Sequence, residues 1–167
     1  MQVPARQLIE GLPVLVLIGS TSLRPPTFVP LIEAARLHNV PVIFASPSVD
    51  EFSGATAPRP DERFIRLPRC SIFFGTELSV VLGELQAQTL ILAGGVTSVS
   101  VHSSFVDAHQ NDYFCRVVED CMTGISPEAH EAALRAMEYM QTGARRRCSD
   151  VIAALAAADR RNDSRNE

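Results

Sequence analysis

The chain contains no lysine: all 15 of its basic residues are arginines. That absence excludes a G-x-x-x-x-G-K-[ST] phosphate loop outright, and no G-x-G-x-x-G stands in for it. Cysteine is sparse. Cys70, Cys115, Cys121 and Cys148 include no C-x-x-C pair, and 167 residues supply core enough to dispense with a disulfide framework. Free, mostly buried thiols in a reducing compartment are therefore expected. Excess positive charge is missing too. A net charge of -4 argues against nucleic acid as a partner. No apolar run reaches the roughly 18 residues that a membrane-spanning helix needs. His38, His102, His109 and His130 lie singly on different stretches without H-x-x-x-H spacing, so neither a metal site nor a cofactor is expected. The apolar stretch Leu12 to Ile18 follows Glu10 and precedes no A-x-A site, so it reads as a core strand and the expected location is the cytoplasm.

Aliphatic runs supply the organisation. Val14–Ile18, Pro41–Ala45, Thr89–Ala93 and Cys115–Glu119 are short continuous runs of the kind that suits parallel strands buried on both faces. Phe64–Arg66 is a poorer strand candidate. Between them fall helical patterns: Thr27 to His38 behind Pro25-Pro26, Thr76 to about Gln86, Ser98 to Gln110, and Ser126 to about Met140. Ser126-Pro127-Glu128 is a strong start signal, with a capping hydroxyl, proline in the first turn and an acid facing the helix dipole. Ser149-Asp150 opens a last short helix through Ala157. Residues 46–61, rich in Ser, Pro, Gly and Asp, read as a loop, and Arg145-Arg146-Arg147 as a solvated basic run.

Strand and helix alternate throughout, with no repeat and no dividing linker. The prediction is a three-layer α/β/α domain over residues 1–158, with a mostly parallel, Rossmann-like sheet. Residues 159–167 (DRRNDSRNE) are expected to form a disordered polar tail.

In such sheets ligands bind beyond the carboxyl ends of the strands. After Ala93 comes Gly94-Gly-Val-Thr-Ser-Val-Ser100, a turn from strand to helix that puts Ser100 in the first helical turn. The partial positive charge of a helix start there would favour an anionic nucleophile or a developing oxyanion.

Several spaced motifs now agree. Phe73-Phe-Gly-Thr-Glu-Leu78, Leu90-Ile-Leu-Ala-Gly-Gly-Val-Thr-Ser-Val-Ser-Val101, Asp107-Ala108, Tyr113 and Arg116-Val-Val-Glu-Asp120, in that order, resemble the isochorismatase-like cysteine hydrolases. That family includes nicotinamidases, N-carbamoylsarcosine amidases and isochorismatases. The resemblance implies hydrolysis of small amides or a vinyl ether by an aspartate, a lysine and a cysteine. It also implies a dimer or tetramer assembled through helices flanking the site, and a small-molecule ligand.

Carried over residue by residue, the triad is missing. The aspartate position at the end of the first strand is Gly19. The lysine position, a few residues before Ser71-Ile72-Phe73, is Leu67, with Arg66 and Arg69 nearby. The cysteine position is Ser100. Arginine, with a pKa above about 12, can stabilise charge but cannot shuttle a proton as the lysine does. A serine hydroxyl needs a positioned base. His102, two steps along a helix, is expected to face away from Ser100. Asp107 is about 10 Å further along and reads as a structural contact. The pocket turn is Gly95, Val96 and Thr97, with Phe73 beside it. The family carries a cis peptide between the residues matching Val96 and Thr97. The loop from Ser20 through Pro26 looks shortened.

Three readings follow. In the first, a family fold without its amidase chemistry binds a small molecule or assembles with a partner. In the second, Ser100 is a nucleophile served by an acid from Asp50, Glu51, Asp61 or Glu62, or by a base from another loop or a neighbouring subunit. In the third, Cys70 is a reactive thiol beside Arg66 and Arg69.

Overall fold

A computed structural model describes residues 8–19 and 25–163, the last four in backbone only. The chain runs β1 (Leu12–Ile18), α1 (Phe28–Leu37), β2 (Val42–Ser46), β3 (Arg63–Arg66), α2 (Leu78–Glu84), β4 (Ala87–Gly95), α3 (His102–Gln110), β5 (Phe114–Thr123), α4 (Pro127–Met140), β6 (Arg145–Arg146) and α5 (Cys148–Asp163). All six strands are parallel, in the order β3-β2-β1-β4-β5-β6.

The aliphatic runs become the central strands because both of their faces are covered. Val14, Val16 and Ile18 point into one cluster with Leu82 of α2, Phe105 of α3 and Leu134 of α4. Leu15 and Leu17 point the other way, onto Phe28 and Leu31 of α1 and Leu155 of α5. A two-residue alternation along one strand thus feeds two cores. Ser126 caps α4 as its sequence signals, its side chain accepting from Ala129 N–H at 3.1 Å. Among the described residues no helix is long and apolar enough to cross a membrane.

Three local expectations are corrected. The run Arg145–Arg147 is no solvated face: Arg145 and Arg146 form β6 beside β5, and Arg145 is ion-paired with Glu119 and with Glu131. Its charge concealed a strand that carboxylates on β5 and α4 make possible. The last helix runs past Ala157 to Asp163, so it enters the segment read as a polar tail. Asp159 is held there by His38, Nδ1 to Oδ2 at 2.9 Å. Residues 164–167 lie outside the described residues, as do residues 20–24 of the loop read as shortened. Finally, the chain leaves β4 through a π-helical turn, Thr97–Val101, where a regular helix from Ser98 is predicted.

The chain builds outward from β1 to β3, returns to the centre at β4, and builds outward again to β6. The reversal between β1 and β4 opens the crevice where open parallel sheets bind ligands. Gly94 makes the closest approach there. Its φ is +113°, and a Cβ on it would lie 1.9 Å from the Ile18 carbonyl oxygen, so only glycine fits.

Candidate functional site

The crevice is floored by Gly19 on one side and by the Gly95–Thr97 turn on the other. The cis peptide in this turn joins Gly95 to Val96, one bond earlier than the Val96–Thr97 bond implied by the resemblance. Val96 then accepts the long-period hydrogen bond of the π turn, from Val101 N–H at 3.2 Å. Thr97 is fully buried. Its hydroxyl donates to the Thr123 carbonyl at 3.1 Å and lies 2.8 Å from His130 Nδ1. With the Thr97 proton committed to Thr123, His130 is assigned as the donor through Nδ1–H. His130, on the first turns of α4, therefore braces the pocket turn. Its position in a chain segment more than 30 residues away gives no sign of this in the sequence.

Ser100 sits inside the π turn, 8% exposed. Ser104 Oγ donates to the Ser100 carbonyl at 2.6 Å and accepts from Ile72 N–H at 3.1 Å. Ser71 Oγ donates to Asp107 at 2.5 Å and accepts from Phe73 N–H at 3.2 Å. Asp107 and Ser104 thus tie the Ser71–Phe73 segment onto α3, and Asp107 occupies the structural position expected of it. The Ser100 hydroxyl itself has no hydrogen-bond partner among the described residues. The π turn replaces the first regular helical turn that the sequence places beneath it.

Leu67 is 6% exposed and belongs to the apolar cluster under α2, α3 and α4. An ammonium at this point would be surrounded by hydrocarbon. Arg66 and Arg69 both face solvent, and Arg69 donates to the neighbouring Pro68 carbonyl at 2.8 Å. Neither turns inward to take a lysine's place.

Gly19 has acquired a neighbour. A Cβ on it would lie 2.8 Å from Glu51 Oε2 and 2.9 Å from Phe52 Cζ. Glu51 therefore brings its carboxylate into the space that a side chain at the end of β1 would take. The segment between β2 and β3 is built to hold it there. Ser46, fully buried, donates to the Ser48 carbonyl and accepts from Ser48 N–H. Ser48 caps the short turn Val49–Glu51 by accepting from Asp50 N–H at 3.3 Å. Phe52 packs edge-on against Phe44 of β2 at 5.0 Å between centroids. Of the four acids singled out in this segment, only Glu51 is found against Gly19. Glu62 is held by Arg36 through two bonds of 2.8 Å, and Asp61 lines a cavity at the opposite edge of the sheet.

The thiols divide by burial. Cys70 is exposed; Cys115, Cys121 and Cys148 are buried. Burial pushes the Cys115 thiol up to about 12, against a small opposing pull from Arg116. Cys121 is raised by its hydrogen bond with Cys148 and by burial, whereas Cys148 is lowered as the partner in that bond. Among the described residues no three His, Cys, Asp or Glu side chains are grouped to hold a metal ion.

Comparison with known proteins agrees with this frame. The Isochorismatase domain family matches residues 24–150, well over half of the chain. Among curated relatives, the phenazine biosynthesis protein PhzD of Pseudomonas fluorescens is 37% identical over 112 residues, covering 67% of this chain and 51% of that protein. The maleamate amidohydrolase of Pseudomonas putida is 35% identical over 83 residues, covering 50% of this chain and 39% of that protein. The chain thus spans about half or less of the length of the curated relatives it matches. Among solved structures, an isochorismatase family protein from Burkholderia thailandensis superposes with a TM-score of 0.75 at 25% identity, covering 86% of this chain and 95% of that one. The nicotinamidase of Bacillus subtilis shares the fold, with a TM-score of 0.68 at 21% identity over 77% of this chain and 95% of that one. Sheet order, crevice and sequence match converge: this chain belongs to the isochorismatase family of hydrolases.

Proposed function

We propose that this chain keeps the family's small-molecule crevice at the β1–β4 reversal and has given up the family's thiol chemistry. The observation that carries the reading is the burial of Leu67 in hydrocarbon at the lysine position, together with a Ser100 hydroxyl that no described acid or imidazole engages. An alcohol without a base is a poor nucleophile at neutral pH. Gly19 removes the strand's own carboxylate. In this reading the Gly19 end of β1 and the Gly95–Thr97 turn hold a small planar amide or acid. The relatives named as a maleamate amidohydrolase and a nicotinamidase make such molecules the first to try. The proposal includes assembly as a homodimer or homotetramer, to be read by light scattering.

The test is direct. Purified chain is assayed for turnover of isochorismate, nicotinamide and N-carbamoylsarcosine, and for thermal stabilisation by the same compounds. Stabilisation without turnover supports the reading. Turnover that disappears in Ser100→Ala overturns it.

A second reading has a specific observation behind it: the Glu51 carboxylate against Gly19. In that reading Glu51 supplies from a loop the acid that β1 lacks, and takes the proton as Ser100, or a water held by it, attacks the substrate carbonyl. Hydrolysis abolished by Glu51→Gln and by Ser100→Ala, each with the folded spectrum intact, would establish it in place of the first.

A further inference from the structure

A cavity of about 220 Å³ opens at the edge of the sheet opposite Ser100, beneath the start of β1 and β2. Leu12, Pro13, Val40 and Leu155 supply apolar walls, while His38 and Asp159 supply polar groups. Its size is that of a small ligand: a cavity of about 150 Å³ accepts benzene, so 220 Å³ suits roughly nine non-hydrogen atoms.

The polar side chains at the cavity are Asp159, His38 and Asn39, and the one carboxylate among them is that of Asp159. The Asp159 side chain is 35% exposed. It accepts from His38 Nδ1 at 2.9 Å. Nδ1 of the ring faces Asp159, and Nε2 is its other hydrogen-bonding atom. α1 ends at this wall with His38 as its C-cap, so the negative end of its dipole points here. Arg36, two residues before His38, is engaged elsewhere. Glu62 holds it at both ends of the guanidinium fork, Nε and Nη2 each at 2.8 Å, and Glu33 takes Nη1 at 3.1 Å.

We propose that this cavity is a second ligand site, distinct from the crevice at Gly19 and Ser100, and that it takes a small amine with an apolar body. The hydrocarbon part fills the space between Leu12 and Leu155. The ammonium donates to Asp159 and lies at the C-terminal end of α1, beside the His38 ring. A carboxylate of the same size meets the same groups as a like charge.

The experiment titrates the intact chain with 2-phenylethylammonium and, separately, with phenylacetate, by calorimetry and by nitrogen–proton correlation of the histidine rings. The ammonium is expected to bind at least tenfold more tightly than the acid and to move the His38 ring signals while leaving His130 in place. Asp159→Asn weakens it about tenfold, the scale of one charge-assisted hydrogen bond. Ala158→Leu, which narrows the cavity from α5, abolishes binding while the far-ultraviolet spectrum stays that of the parent. Equal affinity for both probes, no binding of either, or binding indifferent to both variants overturns the proposal. None of these outcomes bears on turnover at Ser100, so the two readings fail independently.

Discussion

At the scale of single residues, the proposed site rests on Gly19, Leu67 and Ser100. Gly19 leaves room that Glu51 and Phe52 fill, and the contacts are close enough to test. Gly19→Ala forces a Cβ into Oε2 of Glu51 and the Phe52 ring, which is expected to cost about 1–3 kcal/mol. Glu51→Ala in the same background returns part of it, and a double-mutant cycle by urea denaturation measures the coupling. Leu67 gives the converse case. Leu67→Lys at this buried position places an unpaired ammonium in the apolar cluster and is expected to destabilise by about 3–5 kcal/mol at neutral pH. The sign of its pH dependence follows from burial, which lowers the folded-state pKa of the new lysine. The penalty is constant below that lowered value and is relieved as pH rises towards the unfolded value of about 10.4. A flat profile would show the lysine escaping to solvent.

The elements add a constraint on how the loop acid is held. Arg36 on α1 grips Glu62 at the far end of the segment that carries Glu51, and both side chains are 9% exposed. Burial alone would raise the Glu62 carboxyl, but the Arg36 bonds and the Arg59 N–H pull it below the usual carboxylate range. A depressed carboxylate stabilises the fold above its unfolded pKa, about 4.5, and that contribution fades as pH falls through the lower folded value. Arg36→Leu is accordingly expected to cost about 2 kcal/mol at pH 7. Its urea-derived stability loses less than that of the parent between pH 5 and pH 3. The α4 cap makes a simpler forecast: Ser126→Ala costs about 1 kcal/mol in the same assay. Legibility also sorts by element. α4 and the central strands were readable because capping residues and aliphatic runs act locally. β6 was not, since its arginines form a strand only by virtue of Glu119 and Glu131, which lie elsewhere in the chain. The π turn at Thr97 depends on Thr123 and His130, contacts that no local pattern in Thr97–Val101 encodes.

For the molecule as a whole, two cores around one sheet make native thiol chemistry a report on folding. Only Cys70 is exposed. Iodoacetamide at neutral pH is expected to modify Cys70 alone in the native chain, and all four cysteines once urea unfolds it, with mass spectrometry counting the adducts. Reaction of Cys115, pushed up to about 12 and buried, before unfolding would contradict the packing around β5. Strand order was legible only as far as alternation allows. The run of strand and helix implied a parallel sheet, but the reversal that brings Gly19 beside Gly95 comes from which strands pair, and pairing spans the chain. The motif resemblance pointed to the strand end at Gly19, but the Glu51 carboxylate beside it comes from a segment that reads as mere loop.

The margins of the sheet carry a consequence of their own. β3 is a four-residue strand with Arg63 and Arg66 at its ends, and β6 is nothing but two arginines. Arg63 is paired with Glu84 and Arg145 with Glu119 and Glu131, so each margin is a charged frontier too brief to zip onto a second copy. Such borders act as natural gatekeepers. They steer self-association away from fibre-like growth, and leave any lasting contact between copies to the helical flanks.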